Sequence, residues 1–269
     1  MRCFTLHSYK GGTGKTTLAA NIAAILAQEG RNVALLDLDF QAPSLHTLIG
    51  MSPKTKYIND FLDEVASHQD VLTNISSTFK LKGTLSVAFS NPDVDAIRAQ
   101  LARDRKWHMK ALSQLLSLKQ ELSDDGYDYI ILDSAPGVHY SSVNAIVLSD
   151  FTVIISKIDN FDFDGTLNIL NGLYTPLDKG TYLLFNKVVP PLFKEPRYSQ
   201  MKETISEMFG GKTTILGYVP CYCDIPLGMG SEIHALTNSD LAFVTGLKEV
   251  ARKIEELPVP KPMPSGDKK

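Results

Sequence analysis

The sequence predicts an α/β fold: a single doubly wound domain whose mostly parallel central sheet has about seven or eight strands, with helices on both faces. Three observations carry this expectation. Short, continuously apolar runs such as residues 129–133 and 151–156 have the character of strands buried on both sides of a parallel sheet. Stretches of helical periodicity separate these runs. The length of 269 residues, 43% of them hydrophobic and 21% charged, suffices for one large α/β domain and is short for two.

Taken in order, the expected strands are 2–7, 32–38, 84–90, 129–133, 151–156, 181–186 and 213–219. A first helix over 15–29 should end at Gly30, where a left-handed cap suits glycine. Residues 95–123 form a longer helical stretch with room for a break, and 239–257 form a last amphipathic helix with Lys248, Arg252 and Lys253 near its end. The domain is expected over 1–257, with 258–269, rich in proline and lysine, as a disordered tail.

Composition excludes several classes. A formal charge of -3 gives no bulk attraction to nucleic acid. No apolar run is long enough to span a membrane, and the chain opens directly into strand-like residues, so no leader is expected and the cytoplasm is the expected compartment. Three cysteines do not make a disulfide framework, and the six histidines are scattered without ligand spacing.

The chemistry concentrates in HSYKGGTGKTT, residues 7–17. Tyr9 stands where the strict G-x-x-x-x-G-K-[ST] pattern has glycine, but the position of the motif between a strand and a helix is that of a phosphate-binding loop. Backbone N–H groups of Gly11, Gly12, Thr13 and Gly14 and the helix start at Lys15, Thr16 and Thr17 would surround the phosphates of a nucleotide. Lys15 would neutralise phosphate charge, and the Thr16 hydroxyl would ligate Mg²⁺. Further on, YIILDSAPG delivers Asp133 to the carboxyl edge of the sheet, the arrangement that holds Mg²⁺ in such sites.

KGGTGKTT resembles the deviant Walker A box of the MinD/ParA group of P-loop ATPases. The resemblance implies ATP or ADP as ligand, hydrolysis of ATP to ADP and phosphate, and a homodimer formed when ATP is bound. It implies that Lys10 reaches the phosphates held by the partner subunit. LLDLDFQ is similar to the group's D-x-D segment, whose second carboxylate, here Asp39, would position the attacking water. Spacing alone does not choose between Asp37 and Asp39, because a period of two sends both to one face. At the base end the resemblance implies an adenine contact from Asn186 and a flanking loop at Pro220 and Asp224. The expected role is a partitioning or positioning switch with an activating protein partner.

Three further features widen the choice. Cys221 and Cys223 could pair with their symmetry mates across a dimer to hold zinc or an iron–sulfur cluster, the mark of a metal-centre maturation ATPase. A ligase related to dethiobiotin synthetase is the other alternative, against which Lys10 stands, since those ligases lack this lysine. Arg98, Arg103, Arg105, Lys106 and Lys110, beside Trp107 and His108, could form a patch for nonspecific DNA, diluted by Asp93, Asp95 and Asp104. Nothing in the tail builds a membrane-targeting amphipathic helix.

Overall fold

Residues 1–53 and 56–258 are described by the computed structural model. Eight strands form one sheet: β1 (Arg2–His7), β2 (Val33–Leu38), β3 (Leu72–Asn74), β4 (Leu85–Ala88), β5 (Tyr129–Ser134), β6 (Phe151–Ser156), β7 (Gly180–Val188) and β8 (Thr214–Pro220). Their order is β3-β4-β2-β5-β1-β6-β7-β8. All neighbours are parallel except β3, which runs antiparallel to β4 at one edge. The seven expected strands are all present, shifted by no more than a few residues at their ends. The short edge strand β3 was not expected.

The period of two divides each central strand between the two faces. Phe4, Leu6, Val33, Leu35, Tyr129 and Ile131 face the helix Lys15–Gln28 and the last helix, Ala242–Glu256. Cys3, Ala34, Leu36, Ile130 and Leu132 face the helices Arg105–Asp124 and Tyr140–Leu148. The helix Lys15–Gln28 is buried on nearly every side from Leu18 to Ala27, which explains its run of alanines: it lies between the sheet and the last helix, and small side chains let both come close. It ends at Glu29, and Gly30 takes the left-handed conformation at φ +96°.

The stretch 95–123 is two helices, Val94–Leu101 and Arg105–Asp124. Asp104 starts the second by accepting a hydrogen bond from the Trp107 N–H at 2.8 Å. The last helix begins at Ala242, three residues later than its pattern predicts. Of the tail expected over 258–269, residues 259–269 lie outside the described ones. Among the described residues no helix is long and apolar enough to cross a membrane.

Strand order reverses around β1, with β5 on one side and β6 on the other. The loops after β1, β2, β5 and β7 therefore open onto one crevice at the carboxyl edge, the place where doubly wound sheets bind ligands.

Candidate functional site

The loop after β1 is shaped by two glycines with positive φ, Gly12 at +75° and Gly14 at +93°. Gly14 also has no room for a side chain, because a Cβ would lie 2.5 Å from Asn186 Nδ2. At Gly11 and Gly12 a Cβ would meet nothing within 4 Å, so the loop backbone lies open toward the crevice. Two side chains from β7 fasten the loop from beneath. Asn186 Nδ2 donates to Thr13 C=O at 2.7 Å, and Lys187 Nζ donates to Gly12 C=O at 2.9 Å. With those carbonyls engaged, the N–H groups of the loop and of the first helical turn are left to face a ligand.

Lys15 is the first residue of its helix and only 7% exposed. Its Nζ donates to Ser8 Oγ at 3.0 Å. Burial lowers the lysine's pKa, and the nearby Asp133 and Asp39 carboxylates pull it back up. Thr16 lies beside it, and Ser44, from the loop after β2, donates to its hydroxyl at 3.4 Å.

Asp37 and Asp133 are register partners on β2 and β5, both on the face that meets this helix. Each is 1% exposed. Both Asp133 oxygens and Asp37 Oδ2 are buried without a hydrogen-bond partner. Burial pushes the Asp133 carboxyl up to about 7, with the adjacent Thr16 hydroxyl and Lys15 opposing. Burial, reinforced by Asp133 and Asp39, holds Asp37 well above the usual carboxylate range. Orphaned buried carboxylate oxygens beside a threonine hydroxyl fit a hard cation such as Mg²⁺, which takes one or two carboxylates and completes its shell with phosphate and water. Among the described residues no three of His, Cys, Asp or Glu group into a metal site.

Asp39 departs from the spacing argument. β2 ends at Leu38, so Asp39 belongs to the turn beyond it, where its Oδ1 accepts from the N–H groups of Gln41 and Ala42 at 3.2 and 3.1 Å. Asp37 in turn accepts from Asp39 N–H at 3.1 Å. The two carboxylates are thus distinct in kind: one in the strand and buried, one in the loop and half-buried.

Lys10 has a side chain 42% exposed and is held within its own chain. Its Nζ lies 4.0 Å from Asp162 Oδ1 and 5.0 Å from the centre of the Phe161 ring. Neither partner was foreseen, since both lie on the helix Asn160–Ile169, far away in sequence. Tyr9 folds onto the same helix. A Cβ at Gly165 would sit 1.9 Å from Tyr9 Cδ1, so the ring occupies the space a side chain there would fill.

His7 also escaped the sequence reading, being one of six scattered histidines. It points to the face opposite Lys15 and is fully buried. Nε2 lies 2.8 Å from Gly137 C=O, which can only accept, so Nε2 carries the proton and Nδ1 accepts from the Tyr174 hydroxyl at 2.6 Å. Burial lowers its pKa to about 4, keeping the ring neutral. Tyr174 closes a π-helical turn, Leu170–Tyr174.

A cavity of about 370 Å³ is lined by Gly14, Asn186, Pro220, Cys221, Tyr222 and neighbours. Asn186 and Pro220 thus line one cavity, and the Asn186 amide is committed to Thr13. Asp224 is exposed and outside the lining. A wider cleft of about 620 Å³ lies at the β8 edge and includes no residue of the phosphate loop. Cys221 and Cys223 are free and exposed, and the reading of them as zinc or iron–sulfur ligands gains no support, with no metal-holding group among the described residues. The basic stretch is largely balanced: Arg98 pairs with Asp95, Arg103 with Asp63 and Lys110 with Glu64.

With this geometry in view, the comparisons with known proteins are specific. Residues 1–178 match the family model described as AAA domain. The chain belongs to the MinD/ParA family of P-loop ATPases. It is 30% identical over 173 residues to the sporulation initiation inhibitor protein Soj of Bacillus subtilis, covering 63% of this chain and 64% of Soj. It is 31% identical over 156 residues to the septum site-determining protein MinD of Synechocystis, covering 58% and 53%. The chain thus spans less than two thirds of the length of these curated relatives. The fold matches MinD of Pyrococcus horikoshii, solved with Mg-ADP, at a TM-score of 0.73 and 17% identity over 95% of this chain and 96% of that one.

The Tyr9–Gly165 contact yields a first prediction. Alanine at a helical glycine gains about 1 kcal/mol in helix propensity, while overpacking costs about 1–3 kcal/mol. Gly165→Ala should therefore lower stability in urea unfolding by about 1 kcal/mol. In a Tyr9→Ala background the same change should stabilise; a stabilising effect with Tyr9 still present would show that the ring does not hold this position.

Proposed function

We propose that this protein is an Mg²⁺-dependent ATPase acting in the cytoplasm as a nucleotide-controlled dimerisation switch of the partitioning or positioning kind. The observation that carries the reading is the buried set at the crevice, Lys15 and the partnerless Asp133 carboxylate beneath an open glycine loop, in a chain of the MinD/ParA family. A buried lysine and orphaned carboxylates cost stability unless a ligand completes them, and a nucleotide triphosphate with its metal supplies both the anion and the cation.

In this reading the loop N–H groups of Gly11–Gly14 and the helix start cradle the β- and γ-phosphates. Lys15 exchanges Ser8 for phosphate oxygen. Thr16 and Asp133 hold the metal, with Asp37 behind them. A magnesium ion held there would supply positive charge to offset that on the phosphate oxygens. Asp39, in the turn beyond the end of β2, orients the water for in-line attack. Lys10 leaves Asp162 and Phe161 to meet the phosphates of a second copy, closing a homodimer, and an activating protein partner speeds its reopening. Adenine lies in the 370 Å³ cavity beside Pro220 and Tyr222. The maturation and ligase alternatives draw no comparable support, and nonspecific DNA as a matrix is one arm of the deciding experiment: light scattering without nucleotide, with ADP and with ATP, repeated with DNA.

Four variants test the parts. Lys15→Ala should weaken ATP binding about 100-fold or more by calorimetry, the loss of a charge-assisted contact in a buried site, with the far-UV dichroism unchanged. Unaltered affinity would remove the phosphate-loop assignment. Lys10→Ala should bind ATP as a monomer; dimers forming as readily as in the wild type would make Lys10 an ordinary surface lysine. Asp39→Ala should bind ATP, dimerise and lose turnover by about 10²-fold or more. A slow, dimeric Asp37→Ala protein beside an active Asp39→Ala protein would reverse the two roles.

A further inference from the structure

A separate cavity of about 200 Å³ lies behind the loops that follow β2 and β5. Phe40 and Gln41 form one wall, and His139 with the first helical residues Tyr140 and Ser141 a second. The third wall is the break between the helices Val94–Leu101 and Arg105–Asp124, which contributes Gln100, Arg103 and His108. These three share a property: Gln100 Nε2, Arg103 Nε and His108 Nδ1 are each buried without a hydrogen-bond partner. Gln100 as a whole is 6% exposed.

Buried polar atoms are nearly always paired, and each one left alone costs about 1–3 kcal/mol. Three around one small cavity therefore point to something that completes them. The segment is not loosely built. Asp104 caps its helix, Arg103 Nη2 donates to Asp63 at 2.5 Å, Trp107 Nε1 donates to the other oxygen of Asp63 at 2.7 Å, and Asn144 Nδ2 donates to His108 C=O at 2.8 Å. The His108 ring stacks on Tyr140 with centres 4.8 Å apart. These contacts hold the segment on the sides away from the cavity's unpartnered atoms.

The chemistry of those atoms selects the ligand. Arg Nε can only donate, a glutamine amide nitrogen donates, and imidazole Nδ1 donates in its Nδ1–H tautomer. No carboxylate lines the cavity. Arg103 Nε fixes the need for an acceptor, which the Gln100 amide and the Nδ1–H tautomer of His108 also meet, and the volume is below the roughly 300 Å³ at which drug-sized ligands begin to fit. We propose that this cavity binds a compact oxyanion of the carboxylate or phosphate class, held by Gln100, Arg103 and His108. The site stands on its own geometry and does not depend on the ATPase reading. An occupant would join the turn that carries Phe40 and Gln41, directly after Asp39, to the start of the helix that follows β5.

The protein carries its own reporter, because Trp107 is its single tryptophan. The indole lies 5.1 Å from the His108 ring and under the Arg103 guanidinium at 5.0 Å. Tryptophan fluorescence should be followed while inorganic phosphate, acetate or malonate is added at ionic strength held constant with chloride. The expected result is a saturable change with phosphate, with a carboxylate, or with both, the arms naming the preferred class. The change should persist in Lys15→Ala and require about tenfold more anion in Gln100→Leu, as for one lost hydrogen bond at a buried site. Gln100→Glu, close to isosteric and carrying its own carboxylate, should weaken it further and decides the matter if the leucine variant fails to fold. No saturable response to any of the three anions would overturn the proposal. So would unchanged affinity in the folded Gln100 variants, or a response abolished by Lys15→Ala, which would place the anion in the phosphate loop instead.

Discussion

Two carboxylates set side by side inside the sheet impose the strongest constraint on this molecule. The register of β2 against β5 makes Asp37 and Asp133 direct partners, and strand parity turns both toward the helix that begins at Lys15. Like charges this close, away from water, repel strongly. The arrangement persists because cationic groups converge on it: the Lys15 ammonium and the positive end of the helix it starts. That convergence requires the loop after β1 to deliver the helix start over the pair, which explains the glycines at φ +75° and +93° and the grip of Asn186 and Lys187 on the loop carbonyls. The sheet order, the glycine pattern and the β7 side chains answer one electrostatic demand.

The opposite face of β1 does different work. His7 immediately precedes the phosphate loop, yet its ring points away from it, to bridge the Gly137 carbonyl and the Tyr174 hydroxyl. Gly137 N–H donates back to Ser8 C=O at 2.8 Å. The loops after β1 and β5 are thereby joined at two points, one through backbone and one through a neutral imidazole. The two contacts tie these loops to each other, and Tyr174 ties His7 to the helical layer that also carries Asp162.

Legibility in the sequence followed contiguity. Strands buried on both faces announce themselves as apolar runs, and β1 and β6 were legible to the residue. β3 was not, because Leu-Thr-Asn is too short to show a period and gains its conformation from β4. The phosphate loop was legible because its residues are adjacent in the chain, and Asp133 because an apolar strand points to it. Asp162, Phe161 and His7 were not, because their significance depends on partners well over a hundred residues away. Asp37 and Asp39 do not share a strand face, because the chain leaves β2 at Leu38, which leaves one carboxylate in the core and the other in the loop.

Tyr9 gives the glycine pattern another meaning. By the strict loop pattern a glycine is missing at this position, yet the side-chain volume gained there is matched by volume given up at Gly165, on a helix 156 positions further along. The steric allowance has moved from the loop to the surface on which the loop rests. Positions 9 and 165 therefore form one unit of variation: a bulky residue at either is tolerated while the other stays small, and substitutions at the two should be exchanged together as this fold diverges.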